Sequence, residues 1–132
     1  MSAVKEAVTW SAYAESNLGA AKVLLDAGYL NPCLQEAQQA AEKALKSVMF
    51  LHDLPLKKTH SIRELKAILV DAGVTIDIEN DLCHTLDSIY IPSKYPLASC
   101  LPDCDPDDSI CITCIEAAEY LVRISRTYLE NI

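Results

Sequence analysis

One short segment gathers side chains suited to binding an anion. Residues 57–65, KKTHSIREL, hold three basic residues and a histidine. Ser61 followed by Glu64 matches a capping box, which predicts a helix beginning at Ile62. Unpaired backbone N–H groups and the helix dipole favour a phosphate or carboxylate at such a start, and the basic side chains would surround it. The alternative is that Thr59 or Ser61 caps the helix, His60 hydrogen-bonds into the bundle and the lysines only solvate the turn.

The cysteines offer a second chemistry. Cys100-x3-Cys104 followed by Cys111-x2-Cys114 has spacing compatible with a zinc site. Cys111 and Cys114, however, fall on the apolar stripe of the last predicted helix, where free cysteine packs as a small apolar side chain. We therefore predict no metal site, with Cys100 and Cys104 exposed and oxidisable in a loop. Six cysteines in a helix-rich chain favour reduced thiols, and disulfides remain the alternative.

The sequence lacks the motifs of several common enzyme classes. Its three glycines are isolated, which excludes the phosphate-binding loops of P-loop and Rossmann enzymes. No motif near the three histidines nominates a nucleophile. We predict no cofactor.

Charge is unevenly distributed along the chain. The net charge of −8 and the pI near 4.7 argue against nucleic-acid binding through a broad positive field. Residues 43–66 nevertheless contain six basic and two acidic residues, a net charge of +4. We therefore predict an electrostatically polarised molecule.

The elements that position these residues are predicted to be helices. A length of 132 residues, 51% hydrophobic content and only three glycines favour a single all-α domain, residues 1–132. Helical periodicity and end signals place the helices at about 4–27, 31–52, 62–72, 77–89 and from 106 onward. Asn31 and Asp105 are the expected N-caps of the second and fifth helices, since each precedes a proline. Gly28 and Gly73 are the expected ends of the first and third.

The second predicted helix has one apolar and one polar side. Glu42, Lys43 and Lys46 fall opposite the apolar stripe, and Met49 and Phe50 lie toward that polar side. Exposure of this Met-Phe pair would indicate a partner surface such as a dimer interface, whereas a covering loop would leave no such surface.

No segment approaches the roughly 18 apolar residues needed to span a membrane, and the N-terminus lacks signal-peptide features. We therefore expect a soluble cytoplasmic protein with no membrane association.

Residues 91–106 contain four prolines without periodicity and form the long loop of the chain. Long loops in small domains are usually functional or mobile.

Three segments together resemble the HEPN family, the nucleotide-binding domain of higher eukaryotes and prokaryotes. They are QEAQQAAEKALKS on the second helix, KKTHSIREL before the third and SIYIPSKYP after the fourth. Residues 37–46, Thr59-His60 and Lys94-Tyr95-Pro96 take the places of the family's Gln-Ala-x-Glu-Lys-x-x-Lys, Thr-His and Arg-Tyr-Pro-like segments. The resemblance implies a four-helix up-and-down bundle with an additional short helix, commonly a homodimer, related to the C-terminal domain of kanamycin nucleotidyltransferase.

The resemblance also implies nucleotide or RNA binding, often beside a minimal nucleotidyltransferase in a toxin–antitoxin-like pair. We predict that the positive start of the third helix faces the long loop and binds an anionic nucleotide or a partner's acidic surface. The predicted ligand-binding residues are Lys43, Lys46, Thr59, His60, Arg63, Lys94 and Tyr95.

Ribonuclease activity in the family rests on an arginine followed by a histidine after four to six residues. Arg63, Arg123 and Arg126 have no such histidine, and Lys94 replaces the family's arginine without its planar, two-pronged grip on phosphate. We therefore expect a non-catalytic module. The alternatives are a metal-independent ribonuclease toxin with His60 as acid–base, and a protein modified by its partner at Tyr95.

Overall fold

A computed structural model describes residues 2–55, 58–89, 100–101 and 105–132 of the chain. These residues form helices and no strand, which confirms the predicted all-α fold. The helices are α1 (Ser2–Asp26), α2 (Leu30–Leu51), α3 (Ile62–Asp71), α4 (Asn80–Ser88) and α5 (Asp108–Glu130). The predicted residues Lys57, Lys94, Tyr95 and Cys104 lie outside the described ranges.

The long helices α1 and α5 run antiparallel. Lys22 pairs with Glu119, and Glu15 pairs with Arg126, so residue numbers rise in opposite directions along the two helices. Both ion pairs are substantially exposed, and exposed pairs of this kind contribute at most about 1 kcal/mol each. They record how the helices are aligned rather than what holds them together.

The second helix runs parallel to α5 and antiparallel to α1. At its start, the Leu30 carbonyl oxygen accepts a weak hydrogen bond from the Cys111 thiol at 3.6 Å. Farther along, the Ser125 hydroxyl donates to the Ser47 hydroxyl oxygen at 3.0 Å, and Ser47 donates to the Ala7 carbonyl oxygen at 2.7 Å. This buried chain of hydrogen bonds links α5, α2 and α1 and satisfies polar groups that would otherwise be costly to bury.

Alanine forms much of the contact between α1 and α2. The fully buried alanines are Ala7, Ala14 and Ala21 of α1 and Ala37, Ala40, Ala41 and Ala44 of α2. Because their side chains are short, the two helices pack closely, and larger residues such as Leu34 and Leu45 fill the remaining core. The three buried alanines of α1 recur at helical spacing and mark its core-facing side.

Two glycines end helices as predicted. Gly28 follows α1 with a φ of +83°, and Gly73 follows α3 with a φ of +93°. Residues with a Cβ rarely adopt this left-handed conformation, so glycine is the natural residue at both positions. Their backbone N–H groups donate to Leu25 and Val70, both at 3.0 Å, and thereby satisfy carbonyl groups of the last turns.

The starts of α4 and α5 were predicted too early. Asp107, not Asp105, is the N-cap of α5, and its carboxylate accepts a hydrogen bond from the backbone N–H of Ile110 at 2.9 Å. The first turn of the predicted fourth helix is absent because the Ile78 carbonyl oxygen accepts from the Lys66 ammonium rather than from an N–H of its own helix. A contact with α3 therefore replaces the helical arrangement expected from local sequence.

The expected N-cap role of Asn31 is also wrong. Helix α2 begins one residue earlier, at Leu30, and the Asn31 side chain accepts a hydrogen bond from the Cys100 backbone N–H at 2.9 Å. The Cys100 thiol donates to the Asn31 backbone oxygen at 3.8 Å. Cys100 is buried by these contacts, which contradicts its predicted exposure.

The described cysteines are buried free thiols. Cys111 and Cys114 lie in the core as their helical spacing predicts. Burial raises the pKa of Cys33 and of Cys114 to about 12. Both side chains therefore remain protonated at neutral pH and are poor nucleophiles.

Of the two alternatives for the Met-Phe pair, exposed or covered, the structure supports the covered one. Met49 is fully buried. Phe50 is partly buried and stacks on Trp10 of α1, with ring centroids 6.4 Å apart. Met49 belongs to the hydrophobic core rather than to the solvent-exposed side of α2. The pair therefore provides no argument for a dimer interface.

None of the described helices combines the length and apolarity needed to cross a bilayer.

Candidate functional site

The polar side of α2 lies between α1 and the start of α3. On one side, Asn17 of α1 donates to the Glu36 carboxylate at 2.7 Å and accepts from the Lys43 ammonium at 2.9 Å. On the other, the Gln38 side chain donates to the His60 backbone oxygen at 3.4 Å. The row of polar side chains along α2 therefore joins two elements that are distant in sequence.

Glu42 is the central residue of this arrangement. Its carboxylate accepts hydrogen bonds from Lys46 at 2.9 Å, from His60 Nδ1 at 3.0 Å and from Gln38 at 3.2 Å. Glu42 is 4% exposed and Lys46 is 5% exposed. The prediction that both lie on an exposed helix side is therefore wrong, because α1 and the start of α3 cover them.

The His60 ring is attached to this buried group but is itself open to solvent. Its side chain is 81% exposed. Since a carboxylate only accepts, Nδ1 carries a proton in this hydrogen bond, which assigns the lone pair of a neutral ring to Nε2. The result is an oriented imidazole whose outer nitrogen can accept a proton or, when the ring is charged, donate to an anion.

The environment of Glu42 keeps it ionised. Burial acts to raise the pKa of Glu42, but the hydrogen bonds from Lys46 and His60 outweigh burial and hold the pKa below its ordinary value. A negative charge is thus retained beneath His60 at neutral pH. Lys46 forms a buried ion pair with the Glu42 carboxylate and does not extend into solvent.

Two aromatic rings of α1 border the same side of α2. The Lys43 ammonium lies 5.4 Å from the centroid of Tyr13, and the Lys46 ammonium lies 5.6 Å from that of Trp10. Both distances permit cation–π attraction. We call this area the His60 surface; it consists of Trp10, Tyr13, Lys43, Thr59 and His60, above Glu42 and Lys46.

The start of α3 is already occupied by an internal anion. Asp87 at the end of α4 accepts hydrogen bonds from the backbone N–H of Ile62 at 2.6 Å, from that of Arg63 at 3.4 Å and from the Ser61 hydroxyl at 2.9 Å. The expectation that these N–H groups await an external phosphate is therefore wrong. The sequence showed the helix start but could not show which carboxylate folds onto it.

The predicted cap at Ser61 is confirmed, with one change. Its hydroxyl accepts from the Glu64 backbone N–H at 3.1 Å, as a capping box requires. The Glu64 carboxylate does not reach back to the Ser61 N–H directly. Thr59 lies between them, accepting from Ser61 at 3.1 Å and donating to Glu64 at 3.0 Å. The Thr59 hydroxyl thus serves the helix start.

Arg63 is directed toward α4. Its guanidinium donates to His84 Nε2 at 2.7 Å, and both side chains are exposed. This contact separates Arg63 from the Glu42–His60 group. Of the predicted ligand-binding residues that are described, Lys43, Lys46, Thr59 and His60 belong to one surface, whereas Arg63 contacts another element.

Three contributors to the site were not predicted. They are Glu42, Trp10 and Tyr13. Opposite charges at Glu42 and Lys46, four residues apart, were a usable signal for an ion pair, although not for its burial. Among the described residues, no group of three or more histidine, cysteine, aspartate or glutamate side chains is arranged to hold a metal ion.

Comparisons with known proteins give a family and a fold. The model of the HEPN domain matches residues 7–128. The chain is 24% identical to ST0689, an archaeal HEPN homologue, with a TM-score of 0.68 over 93% of this chain and 97% of that one. It is 26% identical to TT1696 from Thermus thermophilus, with a TM-score of 0.69 over 92% of this chain and 97% of that one. The comparison with curated proteins gives no match.

Proposed function

Because the chain belongs to the HEPN domain family, we propose that it is a non-catalytic binding module whose ligand is a nucleotide or RNA contacting the His60 surface. The resemblance inferred from the three sequence segments is confirmed by the family match over residues 7–128. The nucleotide or RNA ligand is a proposal for this chain.

The observation that carries the proposal is the exposed, oriented ring of His60 on the same polar side of α2 as Lys43. His60 is fixed by buried Glu42, so its Nε2 is held in one position without loss of exposure. Lys43 is fixed by Asn17 and Tyr13. Side chains that are already ordered lose little conformational entropy when a ligand binds, which favours recognition of a phosphate group between them.

Titration calorimetry with ATP and with a short single-stranded RNA tests this proposal. His60→Ala and Lys43→Ala should each weaken binding by about tenfold to a hundredfold, since a hydrogen bond to a charged group contributes about 1.5–3 kcal/mol. Lys22→Ala is the matched control, because Lys22 is an exposed cation on the α1–α5 side of the bundle. Absence of saturable binding, or equal losses in Lys22→Ala and His60→Ala, would contradict the proposal.

The proposal also includes two further ligand-binding residues and two protein partners. Lys94 and Tyr95 complete the ligand site, and Lys94→Ala is expected to weaken ATP binding as Lys43→Ala does. The module forms a homodimer and acts with a minimal nucleotidyltransferase partner. Sedimentation measures the oligomeric state, and co-purification followed by intact mass detects the partner and any nucleotidyl group added to Tyr95.

A second candidate function is a metal-independent ribonuclease, favoured specifically by the Glu42–His60 contact. A buried carboxylate that orients an exposed imidazole is suited to general acid–base catalysis. His60 Nε2 would accept the proton of a ribose 2′-hydroxyl as O2′ bonds to phosphorus. The P–O5′ bond would break, and the leaving O5′ would take a proton from water. Incubating RNA with EDTA decides between the candidates: cleavage that His60→Ala abolishes supports the enzyme, and intact RNA excludes it.

A further inference from the structure

We propose that Tyr13 is a stacking platform for an unpaired nucleobase, so that the His60 surface recognises the base as well as the phosphate of its ligand. The inference rests on the proposed function and narrows its ligand class. An unpaired base is available in a free nucleotide and in single-stranded RNA, and not in a regular RNA duplex.

The Tyr13 ring is open to solvent beside a fixed cation. Its residue is 59% exposed, although α1 buries other side chains along its core stripe. The Lys43 ammonium lies 5.4 Å from the ring centroid and is held at 2.9 Å from the Asn17 side-chain oxygen. Trp10, one turn earlier on α1, is partly buried against Phe50 and Lys46. Tyr13 is thus the accessible ring of the pair.

Stacking and phosphate binding are compatible at this position. Every base has a π-face, and aromatic side chains that stack on bases are a general means of binding single strands. An ammonium has three N–H groups, and Asn17 takes one from Lys43. The other two can reach a phosphate attached to the stacked nucleoside. His60, across the same polar row of α2, is exposed and therefore available to another phosphate of a strand.

The chain supplies a well-matched control. Tyr29 is 60% exposed, nearly the same as Tyr13, and lies at the start of α2, where its side chain makes no capping hydrogen bond. Tyr13→Leu removes the platform, Tyr13→Phe keeps an aromatic ring without the hydroxyl, and Tyr29→Leu removes an equally exposed ring elsewhere. Trp10 is the one tryptophan in the sequence and reports binding through its fluorescence in all three variants.

The experiment measures calorimetric affinity and Trp10 emission for four probes: ATP, a single-stranded RNA oligomer, its blunt-ended duplex and inorganic triphosphate. Loss of one base–aromatic stack weakens binding by at least about fivefold. Tyr13→Leu should therefore weaken ATP and the single strand by that factor. Triphosphate and duplex should be weakened less, because they lose only the contact between the ring and the Lys43 ammonium. Tyr13→Phe and Tyr29→Leu should bind all four as the parent does.

The outcomes separate the inference from the function on which it rests. If none of the probes binds the parent protein, the proposed function fails. If they bind and Tyr13→Leu behaves like Tyr29→Leu, only the stacking platform is wrong. If Tyr13→Leu instead dissociates an oligomer in sedimentation and leaves every affinity unchanged, Tyr13 belongs to a protein interface and the inference is overturned.

Discussion

At the residue scale, a single buried carboxylate controls the orientation of the exposed histidine. Glu42 accepts hydrogen bonds from Gln38, Lys46 and His60. Burying a carboxylate without partners would be strongly unfavourable, whereas these three donors satisfy its oxygens. Any change at Glu42 therefore affects both the stability of the fold and the position of the His60 ring.

The lowered pKa of Glu42 predicts a pH dependence of stability. Below the ordinary value of 4.5 the unfolded chain binds a proton that the folded chain does not, so this stabilisation is present above pH 4.5 and is lost as pH falls through the folded-state pKa. Glu42→Gln should therefore flatten the acid limb of the free energy of unfolding, measured by urea denaturation between pH 2 and pH 6 (roughly the range over which carboxyl groups titrate).

Glu119→Gln is the comparison for that experiment. A hydrogen bond from Lys22 also lowers the pKa of Glu119, but the pair is exposed and screened by solvent. Its removal should change the acid limb less than Glu42→Gln does. Equal slopes for the parent and Glu42→Gln would show that the buried carboxylate is not ionised as described.

At the element scale, Asp87 connects two short helices. Its carboxylate satisfies the Ile62 and Arg63 N–H groups at the start of α3 and accepts from Ser61. Helices of ten and nine residues are too short to be stable alone, so α3 and α4 depend on contacts of this kind. The negative charge also complements the dipole of α3.

Asp87→Ala is expected to destabilise the fold by about 1–3 kcal/mol, because it leaves helix N–H groups and a serine hydroxyl without their acceptor. Urea denaturation measures the loss, and hydrogen exchange should show reduced protection at the Ile62 amide in particular. Asp71→Ala is the control, since Asp71 is an exposed acid at the opposite end of α3. Equal stability of the two variants would contradict the assigned capping role.

Local sequence predicted the presence of most helices correctly, but it predicted fewer of the residues at which they begin and end. Apolar spacing sufficed for the long helices, and Gly28, Gly73 and Ser61 marked ends through local conformation or capping. Asn31 was misassigned because its side chain accepts from the Cys100 N–H instead of capping α2. The start at residue 77 was misassigned because the Ile78 carbonyl oxygen accepts from Lys66 instead of from its own helix. In the site, Lys43 and His60 were identified from charge and a family resemblance. Their relation through Glu42 depends on how α3 crosses α2, which periodicity alone does not encode.

At the scale of the whole molecule, the positive segment does not form one uniform patch. Lys46 is neutralised by Glu42, Lys66 donates to the Ile78 backbone oxygen, and Arg63 donates to His84. Lys43 and Lys58 retain exposure in a chain whose net charge is −8. A ligand phosphate at the His60 surface therefore contacts few cations. Its electrostatic attraction comes from these direct contacts and not from a long-range positive field.

This distribution predicts a shallow salt dependence for binding of single-stranded RNA. For a single strand, log K falls with log salt concentration by about 0.7 per phosphate neutralised by a lysine or arginine. Contacts from the two proposed ligand lysines, Lys43 and Lys94, therefore give a slope of about −1.4. Lys43→Ala should reduce the magnitude of that slope by about 0.7, and Lys22→Ala should leave it unchanged. Titrations at several salt concentrations measure it. A parent slope steeper than about −3 would contradict the two-contact description, because it requires at least four cations on the RNA, more than the exposed bases of the His60 surface supply.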